Sequence, residues 1–304
     1  MSIIAAALII VSAFFHASWN FVSKRRNPSL AFFFISAVSA AVIMSPVLVV
    51  QRHTLPHIPS AIWMLVLATG IAQAVYFFGL AGAYRRGDMS LAYPLARALP
   101  VLLVAAISLA LGRGADIGSL GLAGMVLIAA GCIMLPHPNF REIRLREYAD
   151  IVFLMAIIAA IGTTGYTLID DQALRQLRAM PGSRLSNIEV TLLFISLQTI
   201  STALMLGIAA LLFRPERRQL PVVLRDRSIV LPGLVTGVVI MATYGLVLTS
   251  MAYVTNVSYV AAFRQLSIPI GVMLGITLQH EPRHLPKLIG TAIVSAGLVM
   301  VTVG

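Results

Sequence analysis

Leu30-Ala-Phe-Phe-Phe-Ile-Ser-Ala-Val-Ser-Ala-Ala-Val-Ile-Met-Ser-Pro-Val-Leu-Val-Val50 runs without a charged side chain. At about 1.5 Å of rise per residue, a helix of this length reaches about 30 Å, the thickness of a bilayer's hydrocarbon core. The apolar residues are continuous rather than alternating, which excludes a strand with one face to lipid. A helix satisfies its own backbone where no water is present, so the stretch reads as a membrane-spanning helix. The same reading repeats outward along the chain. Apolar runs bounded by charged or proline clusters fall at roughly 4–22, 30–50, 60–83, 89–111, 117–135, 150–169, 189–213, 229–252, 257–279 and 286–303. The expected fold class is therefore all-α integral membrane, with ten transmembrane helices.

Composition points the same way. Of 304 residues, 59% are hydrophobic and 11% are charged, against about 25% charged in soluble proteins. Ten spans leave no room for a separate soluble domain. The formal charge of +11 is not read as a nucleic-acid footprint, because the Lys and Arg residues sit between apolar runs, where they set topology and meet lipid headgroups. Cys132 is the single cysteine and lies in an apolar run, so no intrachain disulfide forms. The first run has no basic residue before it and Lys24, Arg25 and Arg26 after it; it reads as a span rather than a secretory signal. The longest charged connections are 137–149, 170–188 and 214–228, and Arg141-Glu-Ile-Arg-Leu-Arg-Glu147 reads as a charged loop in preference to a short interfacial helix.

The chain also repeats itself. Thr69-Gly70 in the third run matches Thr236-Gly237 in the eighth, and Arg97 in the fourth matches Arg264 in the ninth, both at an offset of 167. Gly124 and Gly131 match Gly290 and Gly297 at an offset of 166. The expected units are residues 1–136 and 150–304, joined by 137–149. Each holds five helices, an odd number, so the second inserts upside down relative to the first. Inverted repeats of this kind place a cavity at their interface near the midplane. Loops after the first, third, fifth, seventh and ninth runs hold fifteen Lys and Arg, while the opposite side holds five. The positive-inside rule then puts both termini outside the inner (plasma) membrane.

His16-Ala-Ser-Trp-Asn20 followed by Lys24, Ser90-Leu-Ala-Tyr-Pro-Leu-Ala-Arg-Ala-Leu-Pro100, and Ser258-Tyr-Val-Ala-Ala-Phe-Arg-Gln-Leu-Ser267 with Glu281 and Gly290 to Gly297 resemble the first, fourth, ninth and tenth helices of EamA-type transporters. That family belongs to the drug/metabolite transporter (DMT) superfamily. The likeness covers essentially the whole chain. It implies ten helices in two inverted units and a secondary transporter, often an exporter of amino acids, metabolites or drugs. Two features depart from the family. Gly112-Arg113-Gly114 stands where members often show Gly-Glu, and members often have cytoplasmic termini.

Candidate site residues are polar groups that a lipid-facing helix would not carry. Arg97 and Arg264 lie about seven residues inside their runs, about 10 Å deep. An Arg there costs at least about 2.5 kcal/mol unless it faces protein or water. Both are candidates for attracting a carboxylate or phosphate, with carbonyl capping or snorkelling as the plainer alternative. His16, Trp19 and Asn20 form a polar-aromatic face on the first run, with His16 and Asn20 four apart. His16 is a candidate for a coupling proton or an interhelical hydrogen bond, and Trp19 for the cavity or the interfacial belt. Gln73, Tyr76, Tyr93, Tyr244, Tyr259 and Gln265 are further substrate-binding candidates, with packing as the plainer reading for most of them. Gly233-x-x-x-Gly237 and Gly271-x-x-x-Gly275 are read as close-packing stripes, and Pro94, Pro100 and Pro269 as kinks beside the two arginines. No acidic residue falls in the middle of a run: Asp150, Asp170, Asp171 and Glu281 lie near ends. That argues against a proton-coupled antiporter with a mid-membrane carboxylate.

No phosphate-binding Gly-rich loop and no metal-spaced His/Cys set occurs in the sequence, so no catalytic residue, metal or cofactor is expected. The expected function is secondary transport of small metabolites, such as amino acids or related organic anions, by alternating access, with export as the direction the resemblance implies. A nucleotide-sugar or lipid-linked sugar carrier is the second transport reading. An integral-membrane enzyme is the alternative of another class, disfavoured because no cluster of acids, histidines or nucleophiles appears. Expected partners are the small-molecule substrate and membrane lipids, with a second copy of the chain as an option and no nucleic acid.

Overall fold

Continuous apolar runs have one way to satisfy their backbone in lipid, and the chain takes it at each of them. The helices are α1 (Ile3–Lys24), α2 (Leu30–Val50), α3 (Ser60–Arg86), α4 (Met89–Ser108), α5 (Ser119–Met134), α6 (Ile151–Arg178), α7 (Asn187–Leu212), α8 (Arg214–Arg225), α9 (Arg227–Ser250), α10 (Val257–Phe263), α11 (Ser267–Leu278) and α12 (Leu285–Val303). The structure, a computed structural model, describes residues 2–24, 29–86, 89–113, 117–135, 137, 139–140, 151–181, 185–278 and 282–303. It gives no side-chain placement for 17–18, 20–24, 84, 86, 89–97, 113, 274–275 and 278. Among the described residues there is no strand. Among the described residues, six helices are long and apolar enough to cross a membrane: α2, α3, α6, α7, α9 and α12. Shorter apolar segments run over 3–16, 98–112, 119–134 and 257–273. The outward-facing side chains are apolar, as at Val50, Leu212 and Met273, which suits lipid and not water. The chain is thus a multi-pass membrane protein.

Flanking polar residues start several of these helices. The Ser29 side chain accepts from the Phe32 amide at 3.2 Å and begins α2. Ser186 and Glu189 form a reciprocal capping box on α7. Asp226 caps α9 and Asn256 caps α10 by accepting from amides two residues on. Each cap satisfies a first-turn N–H that has no partner inside its helix. Hydroxyls inside the bundle turn back onto their own helix, as Thr164 does to the Ala160 carbonyl at 2.8 Å and Thr199 to the Ile195 carbonyl at 2.8 Å. In lipid that self-pairing leaves no polar atom exposed.

Glycines set the closest helix contacts. A Cβ on Gly124 would lie 2.6 Å from the Gly297 carbonyl oxygen, and one on Gly297 would lie 2.6 Å from that of Gly124. Gly131 and Gly290 oppose each other in the same reciprocal way, so α5 and α12 run antiparallel with backbones nearly touching. Gly70 of α3 packs on Ser201 in α7, side chain and backbone alike, and Gly237 of α9 on the backbone of Ser36 in α2. Gly79 and Gly162 bring α3 onto α6. The expected stripe at Gly271 does not form: nothing lies within 4 Å of a Cβ there, and the side of Gly275 is outside the described residues.

Three expected boundaries are corrected. The ninth run is not one helix, because α10 ends at Phe263 and a 3-10 turn, Arg264–Leu266, precedes α11. Pro269 accounts for the break: it has no N–H for the Gln265 carbonyl, and its ring crowds that group. The sixth helix does not stop near 169 but continues to Arg178, so Asp170 and Asp171 lie inside it. Its buried face continues through Ala173, Leu174 and Leu177. The stretch 214–228 is not a plain loop, since α8 forms there with Pro215 in its first turn, where a missing N–H costs nothing. Arg217, Arg218 and Arg225 are exposed on it beside Val222 and Leu224, a composition suited to the membrane interface. Its Glu216 is buried, accepts from the Leu30 amide at 3.1 Å and pairs with Arg85 of α3. The segment 141–147 lies outside the described residues.

Candidate functional site

The break at Pro269 is what places Arg264. On the turn between α10 and α11, its guanidinium is brought against α6 and α9. Arg264 Nη2 donates to the Tyr166 hydroxyl at 3.2 Å. Its Cζ lies 5.8 Å from the Tyr166 ring centre and 5.4 Å from that of Tyr244, within cation–π range. Tyr166 stands edge-on to Tyr244 at 5.3 Å and to Tyr76 of α3 at 5.7 Å. Two aromatic rings, from α6 and α9, therefore face one cation, and Tyr76 of α3 packs against the first of them.

These groups form part of the wall of a cavity of about 80 Å³. His16 and Trp19 line it from α1, and Gln73 and Tyr76 from α3. Trp19 is buried in the bundle, not in an interfacial belt. Its Nε1 donates to His16 Nδ1 at 3.2 Å, which turns the indole and imidazole edge to face at 5.0 Å. Phe33 and Phe77, with ring centres 4.5 Å apart, complete an apolar wall. The cavity thus offers a fixed cation among aromatic faces, a setting for a carboxylate-bearing molecule with an apolar body.

Behind that wall lies a carboxylate. Asp170, fully buried, sits one helical turn beyond Tyr166 on α6. Its Oδ1 accepts from the Thr69 hydroxyl at 2.5 Å. Its Oδ2 accepts from Gln198 Nε2 at 2.6 Å and from the Tyr244 hydroxyl at 2.5 Å. Four helices, α3, α6, α7 and α9, meet in this network. An acid at the centre of the bundle reverses the expectation that no such group exists. That expectation failed because the apolar count ended at 169, although the helical spacing of Ala173, Leu174 and Leu177 carries the buried face past the aspartates.

Six of the expected site residues come together at the cavity: His16, Trp19, Gln73, Tyr76, Tyr244 and Arg264. Tyr259 and Gln265 do not. The Tyr259 hydroxyl accepts from the Gly118 amide at 3.0 Å, and a Cβ on Gly121 would meet its ring at 2.9 Å, so it locks α10 to the start of α5. Gln265 is buried and donates to the Ala261 carbonyl one turn back at 3.1 Å. Each points away from the cavity because adjacent helical positions diverge by about 100°. The side chains of Arg97, Tyr93 and Asn20 lie outside the described ones. Tyr166 and Gln198 were not singled out from the sequence, Thr69 was noted only as part of the repeat, and Asp170 only as an acid near the end of a run. Tyr166 carries the one available signal, a spacing of four from Asp170.

Residues 3–136 match the family model described as the EamA-like transporter family. No curated protein matches the chain. Among solved structures, one titled only as a crystal structure of a protein superposes with a TM-score of 0.66 at 17% identity, covering 98% of this chain and 97% of that one. At that identity the likeness is one of fold, and it extends across both halves.

Proposed function

We propose that the chain, whose residues 3–136 match the EamA-like transporter family model, is a secondary transporter of small amphipathic metabolites with an anionic group, such as amino acids or related organic anions. The observation that carries this reading is Arg264, held in the cavity wall between Tyr166 and Tyr244. A half-buried guanidinium offers a carboxylate strong, directional hydrogen bonds. Trp19, Tyr76, Phe33 and Phe77 receive the apolar part of the same molecule.

The mechanism is alternating access between two inverted five-helix units, residues 1–136 and 150–304, in the plasma membrane with both termini outside. Reciprocal contacts support the pairing. Gly124 lies on Gly297 as Gly131 lies on Gly290. Gly70 lies on Ser201 as Gly237 lies on Ser36. An axis that exchanges 124 with 290, 131 with 297, 70 with 237 and 36 with 201 turns each contact into its partner. Such an axis is what inverted repeats require.

Counterflow in proteoliposomes tests the reading. The purified chain is preloaded with members of a panel of proteinogenic L-amino acids and short-chain mono- and dicarboxylates, and entry of the radiolabelled compound is followed. Exchange of at least one carboxylate-bearing member is expected. Arg264→Ala raises its KM by tenfold or more, corresponding to about 1.4 kcal/mol or more. No exchange with any member, or wild-type kinetics in Arg264→Ala, removes this substrate class.

A further inference from the structure

Among the described residues, Asp170 is a fully buried acid that anion recognition leaves unused. It does not line the cavity, yet it shares Tyr244 with it: the hydroxyl donates to Asp170 and the ring faces Arg264. We propose that Asp170 is a proton-binding site coupled to the substrate cavity, so that one proton and one anionic charge of substrate cross together. This rests on the reading of Arg264 as the anion-binding group.

Charge balance argues for it. With the cavity empty, the Asp170 carboxylate and the Arg264 guanidinium are the opposed charges of the core, separated by Tyr244. An anion arriving at Arg264 would leave Asp170 as a second negative charge with no cation of its own, in surroundings where an unpaired ion is costly. A proton from cavity water that adds to an Asp170 oxygen converts the carboxylate to a neutral acid, and no bond breaks. The core then holds Arg264 and the bound anion, and its net charge is the same as before. Release of the anion reverses the step and returns the proton on the side where the anion leaves. The direction of net movement follows the sum of the two gradients.

Hydrogen-bond accounting shows how the change reaches the cavity. An ionised carboxylate only accepts, and its three neighbours, Thr69, Gln198 and Tyr244, all donate to it. A neutral acid brings a donor of its own, so one contact must turn over. The Gln198 amide nitrogen has no lone pair to accept with, whereas the hydroxyls of Thr69 and Tyr244 do. Turning over at Tyr244 releases a ring that stands against Tyr166 and Arg264. The titratable and charged groups facing Asp170 are Tyr244 from α9, Arg264 from the turn and Tyr166 from α6. Its neighbour Asp171 is paired with Arg175 at 2.9 Å, and Tyr76 and His16 face the shared cavity from α3 and α1.

Two measurements test the proposal. Infrared pH-difference spectra of the detergent-purified chain, with no substrate present, should show a neutral-acid C=O stretch on acidification. That band should be missing in monodisperse Asp170→Asn. Identical spectra for the two overturn the proposal. In proteoliposomes, an imposed pH gradient should raise accumulation of the exchanged panel member severalfold. A potassium-diffusion potential alone should not raise uptake of a monocarboxylate. Accumulation indifferent to the pH gradient, or gradient-driven accumulation that persists in Asp170→Asn, overturns it. A wild-type chain that exchanges no panel member removes the substrate reading instead, and the infrared band then decides whether Asp170 takes up a proton.

Discussion

The α5–α12 contact makes a quantitative expectation, because it is reciprocal. A Cβ on Gly297 would stand 2.6 Å from the Gly124 carbonyl oxygen, 2.9 Å from Ile128 Cγ1 and 3.0 Å from the Ile128 nitrogen. Ordinary contact begins at 3.4 Å, so Gly297→Ala must push the helices apart locally by about 0.8 Å. Backbone atoms form two of those three neighbours and cannot rotate away. Overpacking of this kind costs about 1–3 kcal/mol, equivalent to several degrees of melting temperature. Gly124→Ala meets the mirror contact at the same distance and should cost the same. Once one alanine has opened the gap, the second enters a space already widened. The double variant should therefore lose less than the sum of the singles, a coupling of at least about 0.5 kcal/mol. Gly237→Ala, against Ser36 in a different helix pair, should add fully to either. Thermal unfolding in detergent, followed by intrinsic fluorescence, measures all of these. A Gly297→Ala chain as stable as wild type, or a Gly124→Ala/Gly297→Ala pair whose losses sum, would refute the close approach.

Other expectations follow from single contacts. Tyr244→Phe removes one of three donors to a buried carboxylate, costs about 1–3 kcal/mol in the same unfolding assay, and lowers counterflow by loosening the Arg264 wall. Glu216→Ala leaves the Leu30 amide and the Arg85 guanidinium without their acceptor, whereas Glu216→Gln keeps an acceptor for the amide. The alanine variant should melt lower than the glutamine variant, and equal melting would show that the clasp between α8, α2 and α3 contributes nothing. Gly112 has a φ of 75°, so Gly112→Ala should cost about 1–2 kcal/mol through backbone strain alone. Open space around its side excludes a steric contribution.

Composition and periodicity were sufficient for the helical membrane architecture, and the reason is local. Lipid gives the backbone no partner, so a charge-free run such as 30–50 has one available conformation wherever it packs. The spacing of Gly124, Gly131, Gly290 and Gly297 marked only the repeat; that these glycines meet each other backbone to backbone was decided by the packing of α5 on α12. Tertiary structure decided which polar groups matter. Tyr244 and Tyr259 are equally aromatic and equally embedded in the chain. One reaches the cavity and the other locks α10 to α5, and that difference depends on how each helix is rotated by its neighbours. Asp170 appeared terminal when judged by hydropathy alone. It became central because burial of Ala173, Leu174 and Leu177 against other helices extends α6 past it, and because Thr69, Gln198 and Tyr244, distant in sequence, supply the donors that make a carboxylate tolerable there. Local chemistry states what a residue can bond to; only the packed bundle determines whether its partners are within reach.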